Sequence, residues 1–171
     1  VASTNVNDIV PAYLDSGKFD PRPSLQTISN AMDVGNPSNF ARLLAFYQQE
    51  PRLSEADLLL QIQQDIVGRR YDDEQTRKAI KEVFEDYYGY VMCPHTAVGY
   101  LGLKHYLAGM EEPASGVVLA TAHPAKFIDT VEETIGEKVQ LPDSLQAAME
   151  GEKNASLLPA SFDALKQHLL H

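Results

Sequence analysis

Hydroxyls, amides and one amine gather in three short stretches of the chain. In LATAHPAKF, Leu119–Phe127, an apolar run ends at Thr121, and His123 and Lys126 follow three residues apart. In QTISNAMDVGNPSN, Gln26–Asn39, the polar side chains Ser29, Asn30, Asp33, Asn36, Ser38 and Asn39 crowd around what reads as a helix start. In TNVND, Thr4–Asp8, the amides of Asn5 and Asn7 follow a short strand-like opening. Lys126 is the one amine here that could form a Schiff base. A Schiff-base lysine needs a desolvated or electropositive setting that lowers its pKa. Lys126 lies one turn into an amphipathic helix of an acidic chain, where an exposed lysine is the default.

Thr121 is placed differently. In open α/β sheets, ligands sit at the carboxyl ends of the strands. A hydroxyl at such a strand-to-helix corner stands beside the positive end of the next helix. A threonine there also serves as a plain helix cap, so both readings stand. The Ser29–Asn39 stretch divides in the same way. Neutral donors at a helix N-terminus suit an anion, and the same residue types favour turns for local reasons. Asn5 and Asn7 are either ligand donors or part of a cap. His123 reads as a cap or as a partner of a backbone carbonyl.

Cys93-Pro94-His95 is weak as a metal site, because zinc wants four ligands in workable spacing. It is weak as a nucleophile pair too, since a proline between the two residues keeps sulfur and imidazole apart. No phosphate loop, dinucleotide fingerprint or nucleophile elbow occurs in the sequence. The expected metal set is therefore none.

The elements that would carry these residues are mostly helices. Asn36 and Pro37 predict a helix start, with Phe40, Leu43, Leu44 and Tyr47 forming its buried stripe. Ser54 followed by Asp57 predicts another start. DEQTRKAIKEVFEDYYGY places Ile80, Val83, Phe84 and Tyr87 on one face. The section from about 48 to 90 reads as a solvated helical hairpin on the rim. Pro94 opens a helix that Gly109 ends, with Ala97, Val98, Leu101 and Tyr106 facing inward. Within it, Gly99 and Gly102 offer room for a neighbouring backbone. SGVVLAT, Ser115–Thr121, reads as a strand buried on both faces, as in a parallel sheet. A helix runs from Pro124 to Gly136, and weaker ones are expected near Asp143–Glu150 and Ser161–Leu170. Val1–Thr4 and Lys138–Leu141 are faint strands. One clear strand with two faint ones is too few for a sheet, so partner strands are expected from chain outside this sequence. The opening VASTNVND, with no Met, also reads as a strand already under way.

Bulk composition narrows the function. The 171 residues carry 14 basic and 24 acidic side chains, a net charge of −10. That field repels phosphate backbones and anionic lipid, so neither nucleic acid nor a membrane surface is an expected partner. No stretch approaches the roughly 20 apolar residues of a membrane span. The lone Cys93 suits a reducing compartment, and the expected location is cytoplasmic.

Four blocks, STNVND, SNAMDVGNPSNFARL, PHTAVGY and TAHPAKF, occur in order and end in an LPASFDALKQHL tail. Together they resemble the C-terminal third of the threonine synthase family, bacterial and fungal type. The resemblance covers residues 1–171 and implies an α/β fold, the C-terminal part of the tryptophan-synthase-β-like fold (type II among pyridoxal-phosphate enzymes), mostly helical with a few parallel strands. It implies conversion of O-phospho-L-homoserine and water to L-threonine and phosphate with pyridoxal 5'-phosphate. The Schiff-base lysine and the phosphate-binding loop would then lie upstream, in an N-terminal part that is the implied partner. Lys126 resembles a structural lysine of its block, and the chain alone is expected to be inactive. Thr121 matches the family's hydroxyl beside the pyridine nitrogen, and a neutral hydroxyl there implies a weaker electron sink than a carboxylate. Asn5, Asn7, Ser29, Asn30, Asp33, Asn36 and Asn39 would border the substrate cleft. Cys93 departs from the acidic residue common before PH and is expected to lie outside the chemistry. The competing readings are a non-enzymatic helical binding module and a fragment of another type II lyase, such as a serine/threonine dehydratase or cysteine synthase.

Overall fold

In a computed structural model, residues 1–48 and 53–170 are described. The chain is mostly helical, with one small parallel sheet. Strand β1 (Ala2–Thr4) pairs in parallel with β2 (Gly68–Arg70), placing Ala2 opposite Gly68 and Thr4 opposite Arg70. The faint strand expected at Val1–Thr4 is present. Its partner β2 was not expected, because Gly68-Arg69-Arg70 has no apolar alternation. Close packing supports it instead: a Cβ on Gly68 would come within 2.8 Å of the Pro11 Cα.

Helix α1 (Ile9–Ser16) follows β1 and ends at Gly17, whose φ of 72° is left-handed. Its Tyr13 and Leu14 pack with Phe40 of α2 (Phe40–Tyr47) and with Leu58 and Ile62 of α3 (Glu55–Asp65). Ser54 caps α3 by accepting the Asp57 N–H, as expected. Helix α2 starts three residues later than the Asn36–Pro37 signal suggests. The Phe40 N–H first closes a turn onto the Pro37 carbonyl, and Asn39 precedes the helix without a side-chain cap bond. Residues 49–52 of the expected hairpin lie outside the described residues.

A second core joins α4 (Asp73–Asp86) to α5 (Pro94–Ala108). Ala79, Ile80 and Val83 of α4 meet Ala97, Val98 and Leu101 of α5, with Tyr71 and Met92 beside them. Asp72 and Gln75 make a reciprocal capping box at the start of α4. The 48–90 section is thus no simple hairpin on the rim: β2 lies between α3 and α4, and α4 contributes to the core. Tyr87 and Tyr106, expected to face inward, are exposed. Tyr87 falls just past the end of α4, where helical spacing no longer dictates the face. Tyr106 lies in the last turn of α5, beyond its buried stretch of Pro94–Gly102.

The largest difference concerns Ser115–Thr121, which forms no strand. Val117 is 85% and Leu119 80% exposed. Among the described residues, no backbone hydrogen bond pairs Ser115–Ala120. The apolar pattern encodes burial on two faces, and no strand among the described residues lies beside it. Lys138–Leu141 is likewise not a strand. Pro124–Phe127 is a 3-10 turn leading into α6 (Ile128–Ile135), which ends at the left-handed Gly136 as expected.

The chain divides into two compact units, Val1–Val139 and Gln140–His171. The second holds α7 (Asp143–Glu150) and α8 (Phe162–Leu170), neither with a buried residue. No helix among the described residues is long and apolar enough to cross a membrane.

Candidate active-site wall

The site is assembled around the N-terminal half of α5. Gly102 is the position that lets β1 approach: a Cβ there would lie 1.8 Å from Ser3 Oγ. Gly99, one turn earlier, faces Val118 with a Cβ distance of 3.4 Å. The extended 115–121 segment and β1 therefore both lie against the same helix. Between them is a cavity of about 520 Å³, lined by Ser3, Met32, His95, Leu103, Val118 and Thr121 among others. The 3-10 turn Asn30–Met32 closes one side through Ala31 and Met32.

Thr121 is exposed and borders this cavity. It does not cap the following turn. That place is taken by His123, whose Nδ1 accepts the Ala125 N–H at 3.2 Å. The backbone N–H of Thr121 donates to Thr96 Oγ1 at 3.3 Å. Its hydroxyl lies 3.6 Å from Cys93 Sγ. Cys93 caps α5 by accepting the Thr96 N–H at 3.4 Å, and Thr96 Oγ1 lies 3.2 Å from the same sulfur. Burial pushes the Cys93 thiol up, but hydrogen bonds from Thr96, Thr121 and the Ala122 N–H outweigh it and hold the thiol below its ordinary value. Cys93, expected to lie apart from the chemistry, is thus in contact with the one residue assigned to the cofactor. A cap at the start of α5 faces the adjacent segment end, which sequence spacing does not reveal.

His95, one residue into the same helix turn, packs its ring on Phe127 with centroids 4.7 Å apart. Its Nε2 accepts the Ala31 N–H at 3.0 Å, which puts the proton of the neutral ring on Nδ1. Nδ1 is buried with no hydrogen-bond partner among the described residues. Burial lowers the His95 pKa, with the Asp33 charge pulling the other way.

Four of the polar candidates form one network. Asn5 Nδ2 lies 2.8 Å from Asp33 Oδ1, 2.8 Å from Thr27 Oγ1 and 3.1 Å from Ser29 Oγ. Asn7 donates to Asn5 Oδ1 at 2.9 Å, and exchanges bonds with the Leu25 backbone. Asp33 also receives the Thr27 N–H and hydroxyl at 2.9 and 2.7 Å. Asn5, Asn7 and Ser29 are buried, so this network fastens the 25–33 loop to the end of β1. Asn30, Asn36 and Asn39 are exposed and outside it. Lys126 is exposed on the 3-10 turn. Residue-by-residue reading weighed His95 only as a metal ligand or nucleophile partner and missed Thr96. The PHTAVGY block held the signal: Pro94 fixes the helix start, with His95 lining the cavity and Thr96 bonded to Cys93 and Thr121. Among the described residues, no group of three or more His, Cys, Asp or Glu is placed to hold a metal.

Residues 96–169 match the family model described as threonine synthase, C-terminal. Threonine synthase from Serratia marcescens is 35% identical over 99% of this chain and 36% of its own length. The crystal structure of threonine synthase from Escherichia coli superposes with a TM-score of 0.80 at 34% identity, over 99% of this chain and 36% of that one. Across these comparisons the chain is similar to threonine synthases. The PLP-bound threonine synthase from Brucella melitensis gives a TM-score of 0.79 at 31% identity, over 98% of this chain. The chain spans a little over a third of the length of these relatives, and it corresponds to their C-terminal portion. The fold class read from the sequence, the C-terminal part of the type II fold with few parallel strands, agrees with these threonine synthase structures.

Proposed function

We propose that this chain forms the C-terminal wall of a pyridoxal 5'-phosphate site in a threonine synthase, which converts O-phospho-L-homoserine and water to L-threonine and phosphate. The observation that carries the reading is the position of Thr121. This exposed residue borders the same cavity as the Asn30–Met32 turn, at the end of an apolar segment with no neighbouring strand among the described residues.

The residues present fit one end of the cofactor. The cavity is lined by apolar groups such as Val118, Leu103 and Met32, which suit an aromatic ring, together with the polar residues Ser3, His95 and Thr121. Among the described residues, no arginine, lysine or glycine-rich turn lines it, so on this reading a phosphate group would be held by residues of an N-terminal part. Bound in such a site, the cofactor supplies an electron sink for elimination and water addition. Thr121 would meet the ring nitrogen. Val118 and Leu103 would exclude water from the ring. The network of Asn5, Asn7, Ser29 and Asp33 would hold the loop that carries Asn30, Asn36 and Asn39. Those three exposed amides are the candidates for substrate contact. On this reading the protein works in threonine biosynthesis in the reducing cytoplasm, with Cys93 as a free thiol.

A binding-module reading calls for Val117–Ala120 to be paired and covered within this chain. Its exposure and lack of pairing favour the enzyme reading. The test is phosphate release from O-phospho-L-homoserine with cofactor added. The chain by itself should release none, and the chain joined to the N-terminal portion of a threonine synthase should release it. Turnover by the chain alone would overturn the reading.

A further inference from the structure

We propose that His95 is a positioning residue for the Asn30–Met32 turn: through Ala31 it holds this wall of the cavity while its imidazole is neutral, and lets go when the ring is protonated. This deepens the reading above and rests on it for what the cavity holds.

The backbone partner fixes the direction of the bond. A peptide N–H only donates, so the Ala31 N–H at 3.0 Å makes His95 Nε2 the acceptor. Nε2 accepts only while it carries no proton. In the protonated ring both nitrogens are donors, and Nε2–H then meets the Ala31 N–H head-on. His95 is 9% exposed and its ring packs on Phe127, so water has little access to replace the lost bond. Nδ1 has no acceptor among the described residues that would compensate.

The titratable groups nearby do not supply one either. Asp33, just past the turn, favours the protonated ring. Its carboxylate is already taken up by the Thr27 N–H and hydroxyl and by the Asn5 and Asn7 amides. On the turn that carries Phe127, His123 Nδ1 accepts the Ala125 N–H and Lys126 is exposed. On α5, Cys93 contacts Thr96 and Thr121, and Lys104 pairs with Glu82. The 115–121 segment carries no ionisable side chain.

Ala31, Met32 and His95 all line the cavity. Release of Ala31 therefore loosens the wall itself and the Asn30 amide beside it. Asn5 bonds to Ser29 and Asp33 but not to Ala31, so the loop stays fastened on either side of the released residue.

The test is hydrogen exchange of the Ala31 amide in the full chain. Its protection, corrected for the intrinsic effect of pH on exchange, should fall about five- to tenfold between about pH 7.5 and pH 5.5, the range over which a histidine in the opened turn gains its proton. In His95→Gln the side-chain oxygen replaces Nε2 as acceptor without titrating, and Ala31 should stay protected throughout. In His95→Asn the shorter side chain ends near the Nδ1 position, and Ala31 should be unprotected throughout. A fall of the same size in His95→Gln, or no fall in the parent, would overturn the assignment. If neither variant folds, the ring nitrogen shifts of the parent decide. The Nδ1–H tautomer is expected at neutral pH, and the Nε2–H tautomer would overturn the assignment. In the joined enzyme, the KM for O-phospho-L-homoserine of the parent relative to that of His95→Gln should rise over the same range; a constant ratio would overturn the positioning role. The exchange and tautomer readouts need no cofactor. If they hold while the joined enzyme releases no phosphate, the functional reading fails and the hold of His95 on the turn stands.

Discussion

Gly102 of α5 and Ser3 of β1 are packed so closely that a methyl group on Gly102 would fall 1.8 Å from Ser3 Oγ. This approach brings the strand end against the helix that carries Cys93, His95 and Thr96. Gly102→Ala should therefore destabilise the chain by about 1–3 kcal/mol, the usual cost of overpacking. Ser3→Gly in the same chain should recover much of the loss. Urea unfolding of the single and double variants checks the coupling; equal losses with and without the serine would show that this contact does not govern the site.

Asp33 gathers the Thr27 N–H and hydroxyl together with the amides of Asn5 and Asn7. Asp33→Ala strands these donors around a buried centre. The expected cost is on the order of 3 kcal/mol. It should be accompanied by loss of amide-exchange protection at Thr27, whose N–H bonds to Asp33. A loss well below 1 kcal/mol, measured by chemical denaturation, would mean that water replaces the carboxylate freely.

His95 makes stability depend on pH in a definite direction. Burial lowers its folded pKa from 6.5, so the unfolded chain takes up the proton first as pH falls. The stability it lends is complete above 6.5 and declines as pH drops below that value. Protonation also sets two donors, Nε2–H and the Ala31 N–H, against each other. The urea midpoint should fall between about pH 7.5 and pH 5.5, and His95→Gln should flatten that slope. An identical slope in the variant would assign the dependence to other groups.

Lys126 is exposed on the 3-10 turn after His123. Lys126→Ala should therefore leave phosphate release by the joined enzyme within about twofold of the parent and stability within about 0.5 kcal/mol. Loss of the visible cofactor absorption band in that variant would instead identify Lys126 as the cofactor-bound amine.

Several helix ends were legible from local signals. Ser54, Pro94 and Gly136 each act within one turn, and the structure has caps or ends at all of them, whereas the Asn36–Pro37 signal placed the start of α2 three residues early. Strands were harder, because pairing is not local. β2 is Gly-Arg-Arg, invisible to any apolar pattern, and it exists because β1 lies beside it. Ser115–Thr121 is the reverse case: its pattern announces a buried strand, and the described residues provide no partner. At the site, Thr121 stood out by its corner position and Asn5 by its amide. The contact of Cys93 with Thr121 spans 28 residues and depends on how α5 meets the apolar segment, which no spacing rule encodes.

The apolar segment gives the most direct test of the idea that this chain is one wall of a larger site. Hydrogen–deuterium exchange should be compared at Val117–Ala120 in the chain alone and in the chain joined to an N-terminal threonine synthase portion. These amides should exchange fast in the first and become strongly protected in the second, as they pair with an incoming strand. Equal exchange in both, whether fast or slow, would contradict the account.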